Sequence, residues 1–214
     1  MGTLPRASRR VPRGWPVQQC PNLHDWLPGD IVLVHAARDV VGLALSAAQA
    51  AAGLTLGIEM LRSHCSVTHA GVYVGEGYMV DVTPKRLAEK VSVWTYAQTR
   101  KVELRRVPGT SGEEIAKAAL SYIGKPYNLR GLISDGFFPG ISSEVDSMYC
   151  SSLVDLAVRE GSGRYLGWVD GCQPVFPATL AGHPYLSPVS IYWMRTPAWQ
   201  VRGRLATARR RLRK

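Results

Sequence analysis

The residues of this sequence best suited to covalent chemistry are a cysteine, a histidine and an aspartate: Cys150, His69 and Asp81. A thiol becomes a nucleophile when a neighbouring imidazole takes its proton, and a carboxylate beside that imidazole fixes its tautomer and stabilises its cation. The three residues are far apart in the sequence, so they can act together only if the elements that carry them meet. The local sequence around each residue predicts those elements.

Cys150 is predicted to lie in the first turn of a helix. From this residue onward, apolar side chains recur at the spacing of one helical face, at Leu153, Val154, Ala157 and Val158. Asp146 and Ser147 are suitable N-cap residues, and the glycines at 161 and 163 end the pattern. The N–H groups and dipole of a helix start favour a thiolate. The same position suits an unreactive core cysteine, so Cys150 alone leaves both interpretations open.

His69 and Asp81 are predicted to lie on the two strands of one β-hairpin. Strand-like runs at 68–74 and 78–83 flank a turn at 75–77. A three-residue loop would pair Val74 with Tyr78 and Gly71 with Asp81. This register is well specified, because a slip of one residue would move every apolar side chain to the opposite face.

The two faces of this hairpin differ in character. One is entirely apolar and carries Ala70, Val72, Val74, Tyr78, Val80 and Val82. The other carries His69, Gly71, Tyr73, Met79, Asp81 and Thr83. On this second face Asp81 lies diagonal to His69, with the empty position of Gly71 between them, whereas Thr83 lies directly opposite His69. Asp81 is therefore the predicted partner of the imidazole, and Thr83 is the alternative.

The same segments resemble a known superfamily. Residues 29–32 (GDIV), 68–75 (THAGVYVG), 80–81 (VD) and 149–154 (YCSSLV) are similar to the NlpC-like papain-fold superfamily. They resemble in particular its circularly permuted branch, the YaeF/YiiX-like amidases, which are related to lecithin:retinol acyltransferase. The permutation shows in the order of these residues along the chain. Here the histidine comes first, the orienting residue second and the cysteine last, whereas papain-like enzymes place the cysteine first. Relatives often carry Glu or His at the position of Asp81, and Asp is shorter than Glu.

The resemblance spans about residues 27–195 and implies an α+β, permuted papain-like fold. In that fold the helix with the catalytic Cys packs on a small antiparallel sheet. The resemblance implies a cysteine amidase or peptidase with a Cys150–His69–Asp81 triad, an acyl-enzyme and peptidoglycan-type peptide or amide substrates. It also covers acyltransferases and phospholipases that act on lipid esters. These remain an alternative, as does a non-catalytic binding module, against which the intact triad argues.

An acyl-enzyme mechanism also needs hydrogen-bond donors for the oxyanion. The N–H of Cys150 is one predicted donor. Tyr127 and Tyr149 are candidates for the second because they lie near Cys150 in the sequence, and Tyr149 is equally suited to packing. Tyr73 and Thr83 share the face of His69 and are weaker candidates for contacts with substrate.

No cofactor or metal is expected from the sequence. His64 and Cys65 lie close to His69, but no CxxC pair or fourth ligand supports a zinc site. The spacing of the four cysteines does not indicate a disulfide framework; they are Cys20, Cys65, Cys150 and Cys172.

The positive charge of the chain is concentrated at its ends. The net charge is +10, yet residues 1–20 hold 4 and residues 198–214 hold 7 of the 26 basic residues and no acidic ones. We therefore predict a flexible basic arm at 1–21, a papain-like hydrolase domain at 22–197 and a basic tail at 198–214. The ends could bind an anionic membrane surface, and nucleic acid is not an expected partner. The N-terminus lacks the apolar segment of a Sec-type signal, which predicts a cytoplasmic location or signal-independent export.

Other elements follow from local patterns. Strands are predicted at 31–35, 91–94, 102–106 and 189–193, and helices at 111–123, with Leu120 and Ile123 facing inward, and within 174–180. The apolar stretch at 40–61 predicts two helices, about 40–52 and 54–62, because Gly53 and Gly57 interrupt it. We expect them to be buried against the sheet, or alternatively to form an apolar wall that docks an acyl chain or a membrane surface. Residues 126–146 are predicted to form a groove wall.

Overall fold

The computed structural model describes residues 17–36, 40–128, 148–167 and 175–197 of the chain. The chain divides into two compact units, one of which is Leu23–Ile191 and the other Met1–Asn22 together with Tyr192–Lys214. In the second unit, strand β1 (Val17–Pro21) pairs antiparallel with strand β8 (Trp193–Pro197). The segment predicted as a basic arm therefore contains a strand. The predicted tail at 198–214 lies outside the described residues.

The larger unit is built around a six-stranded antiparallel sheet with strand order β5-β4-β3-β2-β6-β7. Its strands are β2 (Ile31–His35), β3 (Val67–Gly75), β4 (Tyr78–Thr83), β5 (Arg86–Ser92), β6 (Val102–Arg106) and β7 (Ser187–Val189). The helices of this unit that lie before residue 163 in the described part of the chain are α1 (Val40–Leu56), α2 (Glu59–Ser63), α3 (Trp94–Ala97), α4 (Gly112–Ser121) and α5 (Cys150–Ser162). A further short helix, α6 (Pro177–Gly182), precedes β7. The predicted α+β class is confirmed.

The hairpin of β3 and β4 has the predicted register away from its turn. Val72 pairs with Val80 and Tyr73 with Met79, as the alternation of apolar residues requires. Next to the turn the prediction is wrong, because Gly75 rather than Val74 pairs with Tyr78. The turn has two residues, Glu76 and Gly77, with φ of 54° and 82°. Two-residue hairpin turns need a positive φ at both positions. Val74, which lies between the paired residues Tyr73 and Gly75, forms a β-bulge.

Two strand predictions differ from the structure. The strand predicted at 91–94 begins five residues earlier, as β5, and Trp94 already begins α3. The sequence signal was weak because β5 is an edge strand and carries charged residues, as such strands often do. The strand predicted at 189–193 is replaced by β7 and β8, since Tyr192 leaves the large sheet and its carbonyl accepts a hydrogen bond from the N–H of Asn22 at 2.7 Å.

The main core lies between one face of the sheet and helices α4 and α5. Its members on the strands are Ile31, Leu33, Ala70, Val72, Val80 and Val82, and on the two helices Ile115, Ala119, Leu153, Val154, Ala157 and Val158. The apolar stripe that follows Cys150 therefore packs on the sheet as predicted. The two helices approach closely at Gly161, where an added Cβ would lie 2.5 Å from the Cα of Ile115. The inward positions predicted for Leu120 and Ile123 are wrong, because α4 ends at Ser121 and both side chains are exposed.

Helix α1 is less buried than the sequence predicts. Its residues Leu43 and Leu54 are 62% and 66% exposed, although Gln49 and Gly53 are buried. The break between α1 and α2 lies at Gly57, with φ of 68°, and Gly53 instead lets α2 approach: an added Cβ there would lie 2.9 Å from the Cβ of Leu61. Among the described residues, no helix has both the length and the apolar character that crossing a membrane requires.

Candidate active site

Cys150 is the first residue of α5, and local hydrogen bonds hold it there. Tyr149 is the N-cap, with an extended backbone, and its N–H donates to Oγ of Ser152 at 2.9 Å. The hydroxyl of Ser151 donates to the carbonyl of Val175, which ties the helix start to the segment before α6. The thiol itself is buried. The predicted caps Asp146 and Ser147 are therefore wrong, because the helix begins later, after Tyr149, and both residues lie outside the described part of the chain.

His69 and Asp81 meet across the hairpin as the face alternation predicts. Nε2 of His69 lies 2.9 Å from Oδ2 of Asp81, so the shorter aspartate side chain reaches the imidazole. Gly71 makes room for this pair, because an added Cβ would lie 2.7 Å from the carbonyl oxygen of Val80 and 3.2 Å from Cβ of Asp81. Only glycine fits at this position without displacing the strand that carries the carboxylate.

The side chain of Cys150 completes a chain of contacts through the imidazole. Because Nε2 of His69 is bonded to Asp81, Nδ1 is the nitrogen left for the hydrogen bond to the thiol. Burial lowers the pKa of His69, but the hydrogen bonds to Asp81 and Cys150, together with their charges, outweigh burial and raise it from 6.5 to about 10. The site therefore favours an imidazolium at neutral pH, which is the partner that a cysteine thiolate needs.

Two residues that the sequence did not point to also contact Asp81. The hydroxyl of Tyr96, in α3, donates to Oδ2 of Asp81, and the ring of Tyr96 lies 5.1 Å from that of His69. Nη2 of Arg86, at the start of β5, lies 3.9 Å from Oδ1 of Asp81 and 3.4 Å from the hydroxyl of Tyr96. A four-residue helix and a charged edge strand have no periodicity from which these contacts could be predicted.

The four weaker candidates lie in different places. Tyr127 is half-buried close to Cys150: it forms a parallel bridge with Met148, and burial and the charge of Cys150 raise its pKa. Tyr149 is buried next to the thiol as the N-cap. The other two, Tyr73 and Thr83, are described below.

Tyr73 and Thr83 do not contact the thiol. The ring of Tyr73 packs edge-on against Trp26, with 5.3 Å between ring centres, and its hydroxyl oxygen accepts the N–H of Gly77 at 3.0 Å. Tyr73 thus stabilises the hairpin turn. Thr83 accepts a hydrogen bond from Nε of Arg86 at 3.4 Å. Its contact is therefore with Arg86, the neighbour of Asp81, rather than with His69.

The site thus defines an α+β protein in which a strand histidine is hydrogen-bonded to an aspartate and interacts with a helix-start cysteine. Among solved structures, this fold is shared with the metalloprotein YiiX from Escherichia coli O157:H7, with a TM-score of 0.55 and 19% sequence identity over 78% of this chain and 98% of YiiX. No family model matches the sequence, and no curated protein does. The similarity supports a YiiX-like relationship at the level of the fold.

YiiX is described as a metalloprotein, so we tested whether the residues of this chain fit a metal. The described ranges hold no group of three or more His, Cys, Asp or Glu side chains that could hold a metal ion. Oδ2 of Asp81 already accepts hydrogen bonds from His69 and Tyr96. The site residues therefore do not fit a metal.

Proposed function

We propose that this protein is a cysteine hydrolase with the permuted papain-like (NlpC-like) fold, which cleaves amide bonds of the peptidoglycan-peptide type. The observation that carries the proposal is the continuous chain of contacts from Cys150 through His69 to Asp81. A buried imidazole with a raised pKa beside a helix-start thiol is the arrangement that nucleophilic thiols require. The similarity to YiiX supports the fold, and the triad supports the chemistry.

In the proposed reaction, Nδ1 of His69 takes the thiol proton and the thiolate attacks the carbonyl carbon of the substrate. The C–S bond forms as the carbonyl π electrons move to oxygen, and the N–H of Cys150 stabilises that oxyanion. His69 then gives its proton to the leaving nitrogen as the C–N bond breaks, which leaves an acyl-enzyme. Water attacks the acyl carbon, His69 takes its proton, and the thiol is restored. Asp81 remains ionised and orients the imidazole throughout.

Tyr127 is the proposed second oxyanion donor. Its backbone segment is fixed beside the helix start, because the N–H of Asn128 donates to the carbonyl of Met148 at 2.9 Å and the N–H of Met148 to the carbonyl of Pro126 at 3.1 Å. Burial and the charge of Cys150 raise the pKa of its hydroxyl, so it remains a donor at neutral pH. Tyr149, as the N-cap, is proposed to pack rather than to bind the oxyanion.

The proposal is tested by the reactivity of Cys150. Iodoacetamide at neutral pH should label Cys150 fastest of the four cysteines, because its thiol pairs with the His69 cation, and the half-exposed Cys65 serves as an internal comparison. Panels of muropeptides and lipids, read by mass spectrometry, should reveal an acyl adduct on Cys150 and no product with Cys150→Ala. Undiminished turnover by Cys150→Ala, or faster labelling of Cys65, would contradict the proposal.

One observation favours a second candidate, a lipid-directed acyltransferase or phospholipase of the same fold. Helix α1 carries no charged residue, and one of its sides is exposed and apolar apart from Thr55: it holds Leu43, Ala44, Ala47, Ala48, Ala51, Leu54 and Thr55. From the buried side, the amide of Gln49 donates to the carbonyls of Cys65 and Val67 at 3.0 and 2.9 Å. These bonds fix α1 to the start of β3, two residues before His69.

The proposed occupant of this apolar face is an anionic membrane surface. The chain has a net charge of +10, with basic residues and no acids at both ends, which complements anionic lipid headgroups. An uncharged helix face suits acyl chains better than a protein interface, which normally has a polar rim, and its one hydroxyl, that of Thr55, donates to backbone carbonyls of α1 itself. In this second candidate, the acyl-enzyme on Cys150 would come from a lipid ester and pass to water or to another acceptor.

A further inference from the structure

The carboxylate of Asp81 is buried in an unusual arrangement. Its side chain is 1% exposed, and both hydrogen bonds that it accepts, from His69 and from Tyr96, fall on Oδ2. Oδ1 is buried without a hydrogen-bond partner among the described residues, and Nη2 of Arg86 is 3.9 Å away. A buried carboxylate with one unbonded oxygen can turn about its terminal bond unless other groups hold it.

The hydroxyl of Tyr96 donates a hydrogen bond to this carboxylate and does not lose its proton at neutral pH. Burial, followed by the charge of Asp81 and the hydrogen bond to it, raises the pKa of its hydroxyl above the ordinary value of 10. The phenol therefore keeps its proton across the whole range in which a thiol enzyme works. Its ring also lies against the imidazole of His69, with ring planes inclined at 40°, and so shields the His69–Asp81 bond from water.

Arg86 lies next to both the carboxylate of Asp81 and the hydroxyl of Tyr96. Its Nη2 lies 3.4 Å from the hydroxyl oxygen of Tyr96, its Nε donates to Thr83, and its Nη1 pairs with Glu89 at 2.7 Å. These contacts hold the guanidinium beside Asp81 although 38% of the side chain is exposed. A positive charge at this place offsets part of the cost of burying the Asp81 charge.

We propose that Tyr96 and Arg86 are positioning residues for the catalytic base: Tyr96 aims Oδ2 of Asp81 at His69, and the guanidinium of Arg86 compensates the buried charge of the carboxylate. The inference rests on the proposed function, because it assigns these residues to the triad of a thiol enzyme. Without the Tyr96 hydroxyl, the carboxylate can turn Oδ1 and Oδ2 toward Arg86, which is already within 3.9 Å, and the bond to His69 weakens. The imidazolium, and the thiolate paired with it, are then less stable.

The test is the pH dependence of the alkylation of Cys150 in Tyr96→Phe, which keeps the ring and removes the donor. In the wild type, the His69 imidazole, followed by NMR, should keep its proton up to a pKa of about 10, and Cys150 should be alkylated rapidly by iodoacetamide already at neutral pH. In Tyr96→Phe the pKa of His69 should fall toward the ordinary value of 6.5, and the alkylation of Cys150 should shift to higher pH because the thiolate loses its imidazolium partner. The rate at neutral pH should drop about tenfold or more, as expected for a lost hydrogen bond to a charged group.

A matched control is Tyr122→Phe. The hydroxyl of Tyr122 also donates to a carboxylate, that of Glu160 near the end of α5, so the substitution removes the same type of bond away from the triad. Both variants should lose some thermal stability, but Tyr122→Phe should keep the wild-type pH profile. If Tyr96→Phe also keeps that profile while Cys150 of the wild type is rapidly alkylated, Tyr96 is only structural and the inference is overturned. If wild-type Cys150 is not preferentially alkylated, the proposed function fails, and the inference with it.

The proposed role of the Arg86 charge is tested by substitutions that remove or keep it. Arg86→Gln should shift the alkylation of Cys150 to higher pH, because the buried charge of Asp81 loses the cation beside it, whereas Arg86→Lys should largely restore the wild-type profile. Circular dichroism and the melting temperature establish that each variant is folded. Equal pH profiles for Arg86→Lys and Arg86→Gln would show that the charge is irrelevant and would remove Arg86 from the proposal. A combined Tyr96→Phe/Arg86→Gln variant should lose less than the product of the single losses, since both act on one carboxylate.

Discussion

At the scale of single residues, the charge on Asp81 decides what the imidazole can do. Asp81→Asn should leave the fold intact and lower turnover by up to about 10⁴-fold, as the corresponding change does in serine proteases. The reason is that an amide nitrogen can donate to Nε2 of His69, which holds the wrong tautomer. Steady-state kinetics and circular dichroism measure both parts of the prediction.

Thr83→Val is the control for this substitution, because Thr83 lies on the same hairpin face but contacts Arg86 rather than the imidazole. Its kcat should remain within a few-fold of the wild type. A nearly silent Asp81→Asn together with a damaging Thr83→Val would mean that Thr83, not Asp81, orients His69.

The raised pKa of His69 also predicts how stability depends on pH. A group whose pKa is higher in the folded than in the unfolded chain stabilises the fold fully below its unfolded pKa, here about 6.5, and loses this contribution as pH rises to about 10. Urea unfolding should therefore show wild-type stability falling across this window, and falling less in His69→Gln. If both proteins lose the same stability across the window, the imidazolium is not formed in the folded protein.

The positions of the three proposed triad residues were predictable from sequence for a physical reason. Cys150 begins a strict helical stripe, and His69 and Asp81 lie in a strictly alternating hairpin, so local periodicity fixes the direction of each side chain. Tyr96 and Arg86 were not predictable, because their contacts with Asp81 depend on where a four-residue helix packs and on the short turn between β4 and β5. Periodicity carries no information about such tertiary contacts.

At the scale of elements, α1 shows the limit of the same reasoning. A uniformly apolar run predicts a helix but has no polar face, so the sequence cannot show which side is covered. The structure buries the side with Gln49 and Gly53 and exposes the side with Leu43 and Leu54. The prediction that the helix as a whole is buried was wrong. Only one narrow side of α1 packs closely against α2, and the opposite side of α1 remains exposed.

The exposed side of α1 gives a prediction for membrane binding. Leu54→Glu should weaken binding to anionic vesicles about tenfold or more, since burial of a leucine side chain contributes about 1.5–3 kcal/mol. Hydrolysis of a soluble substrate should be unchanged. Vesicle co-sedimentation is the measurement, and Ile123→Glu is the control because Ile123 is also exposed, 46% against 66%, but follows α4. Equal loss of binding in both variants would remove α1 from the lipid argument.

At the scale of the whole molecule, the distribution of charge separates the two candidate functions. Deletion of 199–214 removes seven basic residues and no acidic one. If the substrate is a membrane lipid, each basic residue near an anionic surface contributes about 1 kcal/mol, so the deletion should weaken vesicle binding sharply at low salt. Wild-type binding should fade as added salt shortens the screening length to about 8 Å.

Activity on a soluble amide or ester should survive this deletion, because all proposed catalytic residues precede the tail. Vesicle co-sedimentation of the full-length and shortened proteins at two salt concentrations provides the comparison. Equal and salt-insensitive binding would remove the tail from the argument for a lipid substrate and would leave the amidase proposal ahead.

The order of the triad along the chain has a consequence for folding. His69 and Asp81 belong to one hairpin, 12 residues apart, whereas Cys150 arrives on a helix from a distant part of the sequence. The base and its partner can therefore be paired by local contacts, but the thiol meets the imidazole only when α5 has packed on the sheet. An incompletely folded chain carries an ordinary, slowly reacting cysteine. The reactivity of this one sulfur atom thus reports, in a newly made molecule, that the long-range contact between α5 and the sheet has formed.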